Sequence, residues 1–158
     1  MYILVLCTGN SARSILLESI LSQRGASRIR AFSAGSQPTG RVNPLALALL
    51  RSKGADTAEF RSKSWDEFAT PEAPHMDLVI TVCGSAAAEV CPIWPGTPLR
   101  GHWGVEDPAA VADAKAPAAF AEAYDILDRR AAAFLAHPIE TMDRTNLQAH
   151  IAACGDLT

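Results

Sequence analysis

Tyr2-Ile3-Leu4-Val5-Leu6-Cys7-Thr8-Gly9-Asn10-Ser11-Ala12-Arg13-Ser14 is the stretch on which the fold turns. Residues 2–6 are an apolar run with two β-branched members, Ile3 and Val5, which predicts a buried strand. Thr8, Gly9 and Asn10 break it. A helix is predicted from about Ser11 to Arg24, its apolar stripe formed by Ala12, Ile15, Leu16, Ile20 and Leu21, with Gly25 suited to the position after its end. Between strand and helix, a cysteine and an arginine are separated by five residues. A turn of this kind can wrap its N–H groups around one tetrahedral anion. Gly9 and Asn10 are residue types that tolerate the positive φ of a tight cradle. The helix N-terminus adds donors and a positive partial charge. Thr8, Gly9, Asn10, Ser11, Ala12, Arg13 and Ser14 are therefore candidate oxyanion-binding residues. Cys7 is expected to be a low-pKa thiolate. The Arg13 guanidinium can fork onto two anion oxygens, and the Ser14 hydroxyl can donate to the Cys7 sulfur as it leaves.

Outward from this stretch, strands and helices alternate. Ile29–Phe32 reads as a second strand, closed by Ser33-Ala34-Gly35. Asn43-Pro44 caps a helix that runs to Lys53 before Gly54. A short helix is predicted at Trp65–Ala69, a third strand at Asp77–Val82 ending at Cys83, and a weak fourth at Pro98–Trp103, with Asp107-Pro108 just beyond. Ala116–Ala136 is a long helix carrying Phe120, Tyr124, Leu127, Ala131 and Phe134 on one stripe. From His137 the pattern is poor, which leaves a tail of residues 137–158 with room for a short helix. Such alternation implies a single α/β domain with a four-stranded parallel sheet and helices on both faces. Ligands bind at the carboxyl ends of such strands, a rule that gathers Cys7, Ser33, Cys83 and Asp107 at one edge. The run Ala86-Ala87-Ala88-Glu89 predicts a short helix between Cys83 and Cys91. A fully helical segment would hold those two cysteines roughly 12 Å apart, so a bridge between them should unwind it.

The chain has 158 residues, which suits one core, and a formal net charge of −3. That balance excludes the basic surface of a nucleic-acid or membrane binder, so an anion site has to be local. The opening apolar run is too short for a signal peptide, and no stretch approaches the roughly 20 apolar residues of a membrane span. The expected compartment is the cytoplasm, where the four cysteines, Cys7, Cys83, Cys91 and Cys154, are reduced at rest. Cys154 reads as incidental, and Arg61 and Lys63 as a solvated face.

The loop resembles the phosphate-binding loop of the low-molecular-weight protein tyrosine phosphatase superfamily. The resemblance runs through Ser33-Ala34-Gly35 to Asp107-Pro108 and defines a phosphatase-like domain at about residues 1–136. It implies that Asp107 is the general acid for the leaving group. Two features point to one branch. The neighbours of Asp107 are Pro108, Ala109 and Ala110, where tyrosine phosphatases place aromatic residues. Thr81-Val82-Cys83, Cys91-Pro92 and His102-Trp103-Gly104 look like the thiol-dependent arsenate reductases of this superfamily.

That resemblance implies a relay. Cys7 attacks arsenate, Cys83 attacks the Cys7 sulfur to release arsenite, and Cys91 frees Cys7 by thiol–disulfide exchange. The implied electron donor is thioredoxin, or glutaredoxin with glutathione; phosphate or sulfate would be substrate analogues. No metal is required. Asn10, Glu18 and Ser33 match a loop-supporting network that in some members holds a potassium ion near the asparagine; an acidic residue expected near position 64 is Ser64 here. Glu18 lies on the helical face of Ser11 and Ser14. A packed aromatic corner explains His102 and Trp103 equally well. Two other readings are a phosphomonoester hydrolase working through a Cys7 phosphocysteine, which needs neither Cys83 nor Cys91, and a thiol module sensing arsenic(III) or zinc, which needs neither Arg13 nor Asp107.

Overall fold

The computed structural model describes residues 1–90 and 92–158; Cys91 lies outside the described residues. Four parallel strands, β1 (Tyr2–Leu6), β2 (Arg30–Ala34), β3 (Leu78–Thr81) and β4 (Leu99–His102), lie in the order β2-β1-β3-β4. The chain leaves β1 to one side to make β2, then returns past it to make β3. Such a change of direction opens a crevice at the carboxyl end of the central strand, and here that end is Cys7. Register fixes its neighbour: Leu6 pairs with Thr81, so the residues after β1 and those after β3 emerge side by side.

Side chains alternate across the sheet as strands require. Ile3, Val5 and Ile80 enter one core together with Ile15, Leu16, Leu127 and Phe134. These come from α1 (Arg13–Gly25) and α4 (Ala116–Leu135), and the same core takes Leu50 of α2 (Pro44–Ser52). Leu4, Leu6 and Val79 face a smaller core with Phe68, Met76 and Trp94. Cover is unequal: the second face is closed by one 3₁₀ turn, Trp65–Phe68, and by loops. The capping signals act where the sequence places them, since the Asn43 side chain accepts from Leu45 N–H at 2.9 Å with Pro44 at the first helical position.

Three boundaries differ from the sequence reading. β2 extends through Ala34, so Ser33 lies inside the strand. The helix between Cys83 and Cys91, α3, covers only Gly84–Ala88, and Glu89 is already extended. The poorly patterned tail contains a twelve-residue helix, α5 (Arg144–Gly155), capped by Asp143. It buries Leu147, Ile151 and Cys154 in the main core, and Trp103 Nε1 donates to Ile151 O at 3.0 Å. A side chain at Gly101 would collide with Ile151, its Cβ 2.5 Å from Cγ2, so α5 sits directly against β4.

Candidate active site

The loop between β1 and α1 is held from outside by its carbonyl groups. Thr8 O accepts from Gln37 N–H at 2.9 Å, Gly9 O from Thr39 N–H at 3.0 Å and Ser11 O from Asn43 N–H at 2.9 Å. Because the peptide unit is planar and trans, the N–H across each of these bonds points the other way, into the cradle. α1 begins with Ala12 at its cap, with no side-chain cap and no acidic residue in the first turn. The amides that a capping residue would satisfy are left for an anion. Asn10 takes the positive φ, 43°, and Gly9 does not. The glycine that the loop requires is Gly35: a Cβ there would lie 2.4 Å from Thr8 O and 2.8 Å from Cys7 O. Cys7, Asn10, Arg13, Thr39, Asp107 and Ala109 line a pocket of about 220 Å³.

Beneath the loop is a buried polar network. Asn10 Nδ2 donates to Ser14 Oγ at 2.9 Å and to Ser33 Oγ at 2.8 Å, and Ser33 donates to Glu18 Oε2 at 2.5 Å. Asn10 Oδ1 accepts from Lys63 N–H at 2.9 Å. Lys63 is only 8 % exposed, which corrects its reading as part of a solvated face. Arg61 does lie at the surface, paired with Glu67. Lys63 is buried because the segment before the 3₁₀ turn pairs with the end of β2: Gly35 N–H donates to Lys63 O and Trp65 N–H to Gly35 O, both at 2.9 Å. Burial pushes the Glu18 carboxyl up, while Lys63 and the Ser33 hydroxyl oppose that rise. Burial in turn pushes the Lys63 amine down against the attraction of Glu18. This arrangement does not fit the potassium ion expected near Asn10. Asn10 and Ser33 are committed to protein partners, and the counter-charge to Glu18 is the chain's own ammonium.

Arg13 donates to Val105 O at 3.1 Å and pairs with Asp107 at 3.1 Å. Asp107 also caps the turn at Pro108–Ala110, accepting from Ala109 N–H at 3.1 Å. Asp107 thus makes the Asx turn before proline and also faces the loop.

The Cys83 sulfur stands against the Cys7 thiol, close enough for the two to couple. The Cys7 thiol is pushed up, first by its hydrogen bond to Cys83 and then by burial; Arg13 and the Gly9 N–H pull it the other way. Cys83 is held down to about 5, chiefly by accepting from Cys7 and, against burial, by the Ala86 N–H at 3.4 Å and the Thr8 backbone N–H. Arg13 and the loop amide of Gly9 therefore act on Cys7 in the expected sense, but its neighbour and burial outweigh them. The two thiols titrate as a coupled pair, and a proton shift between them moves the charge from one sulfur to the other. Thr8 Oγ1 lies 3.7 Å from the Cys83 sulfur and donates to Glu89 Oε1 at 3.2 Å. Glu89 carries no sequence signal of its own; its position follows from the early end of α3.

Cys154 lies apart, buried on the inner face of α5. Among the described residues, no three His, Cys, Asp or Glu side chains converge as metal ligands, and no helix is long and apolar enough to cross a membrane.

The geometry has counterparts. An arsenate reductase of Halalkalibacterium halodurans is 40 % identical over 104 residues, covering 66 % of this chain and 71 % of that protein. An arsenate reductase of Bacillus subtilis is 38 % identical over the same shares. A solved arsenate reductase in the phosphate-binding state superposes with a TM-score of 0.64 at 24 % identity, over 83 % of this chain and 96 % of that one, which shows the shared fold. The profile described as low molecular weight phosphotyrosine protein phosphatase matches residues 2–147, and with the loop, the sheet order and these relatives in agreement, the chain belongs to that family.

Proposed function

We propose that this protein reduces arsenate to arsenite, with Cys7 as nucleophile and Cys83 and Cys91 as the relay. The observation that carries the reading is the Cys83 sulfur against Cys7 inside an oxyanion loop. Hydrolysis of a phosphate ester needs no second thiol there; reduction does.

Arsenate sits on the loop amides and Arg13. The Cys7 thiolate forms an S–As bond, an As–O bond breaks, and the departing oxygen takes a proton from Asp107 to leave as water. Cys83 then gives its proton to solvent and, as thiolate, attacks the Cys7 sulfur. The S–As bond breaks with its electron pair left on arsenic, so arsenic(V) becomes arsenic(III) and the two thiols become a disulfide. The Ser14 oxygen accepts from Asn10, which leaves its own proton to stabilise the Cys7 sulfur while arsenic is bound. Cys91 next attacks Cys83, Cys7 departs as thiolate, and an external dithiol reduces the Cys83–Cys91 bridge. The sum is arsenate plus two thiols giving arsenite, water and one disulfide. Closing that bridge is expected to unwind α3, Gly84–Ala88. Thioredoxin or glutaredoxin with glutathione is the donor, in a reducing cytoplasm.

Turnover of arsenate with each purified donor system tests this. Arsenite should accumulate at the expense of the donor, with only weak hydrolysis of an aryl phosphate. Strong hydrolysis without arsenite would favour the phosphatase, for which Asp107 and the loop would suffice.

A further inference from the structure

The Thr8 hydroxyl has two acceptors within reach and one proton to give. At 3.2 Å it donates to Glu89 Oε1. An ionised carboxylate only accepts, so Thr8 has to be the donor in that bond. The Cys83 sulfur, 3.7 Å from the same oxygen, competes for that proton at the longer distance. Remove Glu89 from Thr8, and the same proton is free for Cys83. Glu89 also has somewhere to go. It lines a pocket of about 290 Å³ together with Arg100 and His102 of β4, two partners suited to a carboxylate. This gives a role to His102, whose ring is oriented by Thr81 Oγ1 at 2.8 Å.

We propose that Glu89 is a positioning residue that decides which acceptor the Thr8 hydroxyl serves. With the carboxylate docked on Thr8, the proton is held away from Cys83 and the end of α3 is tied to the oxyanion loop. With the carboxylate displaced toward Arg100 and His102, Thr8 donates to the Cys83 thiolate. An oxyanion in the loop carries the charge that repels Glu89, so substrate arrival and the readying of Cys83 are linked. The proposal rests on Cys83 acting as the second nucleophile. The charged and titratable groups around the trio are Cys7 and Arg13 beside the loop, Glu89 just past α3, and Arg100 and His102 on β4.

The test needs no arsenate, so it stands or falls separately from the reductase reading. In the full chain carrying Cys7→Ser and Cys91→Ser, the alkylation rate of Cys83 is followed against pH by peptide mass spectrometry. Glu89→Ala should lower the Cys83 inflection by about half a unit to one unit, the worth of one hydrogen bond to the thiolate. In Thr8→Val most of that shift should disappear, and Thr8→Ser should restore it. Thr8→Ala replaces Thr8→Val if circular dichroism shows that variant unfolded. The same shift with and without a hydroxyl at position 8 would mean that Glu89 acts through charge alone and would overturn the proposal. An unchanged inflection in Glu89→Ala would overturn it too.

Discussion

The two thiols that meet in this site are carried by very different supports. Cys7 precedes a loop whose carbonyl groups are bonded at three points to the segment from Gln37 to Asn43, and whose Asn10 is fully buried in a network reaching Ser14, Ser33, Lys63 and, through Ser33, Glu18. Cys83 begins a five-residue helix that buries one side chain, Ala86. The first support is over-determined and should keep its shape through a catalytic cycle. The second is of the low-stability kind that opens locally, which a thiol needs if it must bond first to Cys7 and then to another cysteine.

The largest expected effect breaks the rigid side at its reacting atom. Cys7→Ser should reduce arsenite production to background with the fold unchanged, because a serine hydroxyl stays protonated near neutral pH. Full activity would end the account. Next is the division of labour. Cys83→Ala should lose reduction while keeping weak hydrolysis of an aryl phosphate, since the loop is complete without α3. Loss of both in a folded protein would mean that the supports are not separable. Asp107→Asn should slow both reactions by about 10²-fold or more, as expected of a lost general acid. The smaller effects concern stability. Asn10→Ala leaves Ser14, Ser33 and Lys63 N–H without their partner and should cost about 1–3 kcal/mol in urea unfolding, whereas Ala88→Gly in α3 should cost less than about 1 kcal/mol.

The buried carboxyl makes a signed pH prediction. The folded-state pKa of Glu18 lies above its ordinary 4.5. Between the two values the folded protein binds more protons than the unfolded one, so this group's contribution declines as pH rises through that window and is fully favourable only below it. Glu18→Gln should flatten the decline in thermal melts taken upward from 4.5, while the amide still accepts from Ser33. An unchanged slope would show that Lys63 fully compensates the carboxylate.

How far the sequence reading reached follows the same divide. The β1-loop-α1 unit is legible because a strand, a break and a helix stripe are local patterns, and the chemistry lies between them. Long-range approach is not local. Lys63 next to a surface arginine reads as solvated until Gly35 draws its segment against β2. Gly35 reads as a strand terminator, and only its 2.4 Å clearance from Thr8 O reveals the loop's demand. The thiolate expectation for Cys7 weighed the helix and Arg13, but not a second sulfur brought from residue 83 by the pairing of β1 with β3. The helix α5 was faint because its buried stripe, Leu147, Ile151 and Cys154, is narrow and set among polar residues; Asp143 was the available cap signal.

The central claim is that Cys7 and Cys83 are one redox pair. The direct measurement is a single turnover of the Cys91→Ser variant with arsenate and no external reductant. The account predicts about one arsenite per chain, by the stoichiometry of thiol–disulfide exchange, and a Cys7–Cys83 disulfide found by peptide mapping. Arsenite without that disulfide, or the disulfide without arsenite, would contradict it.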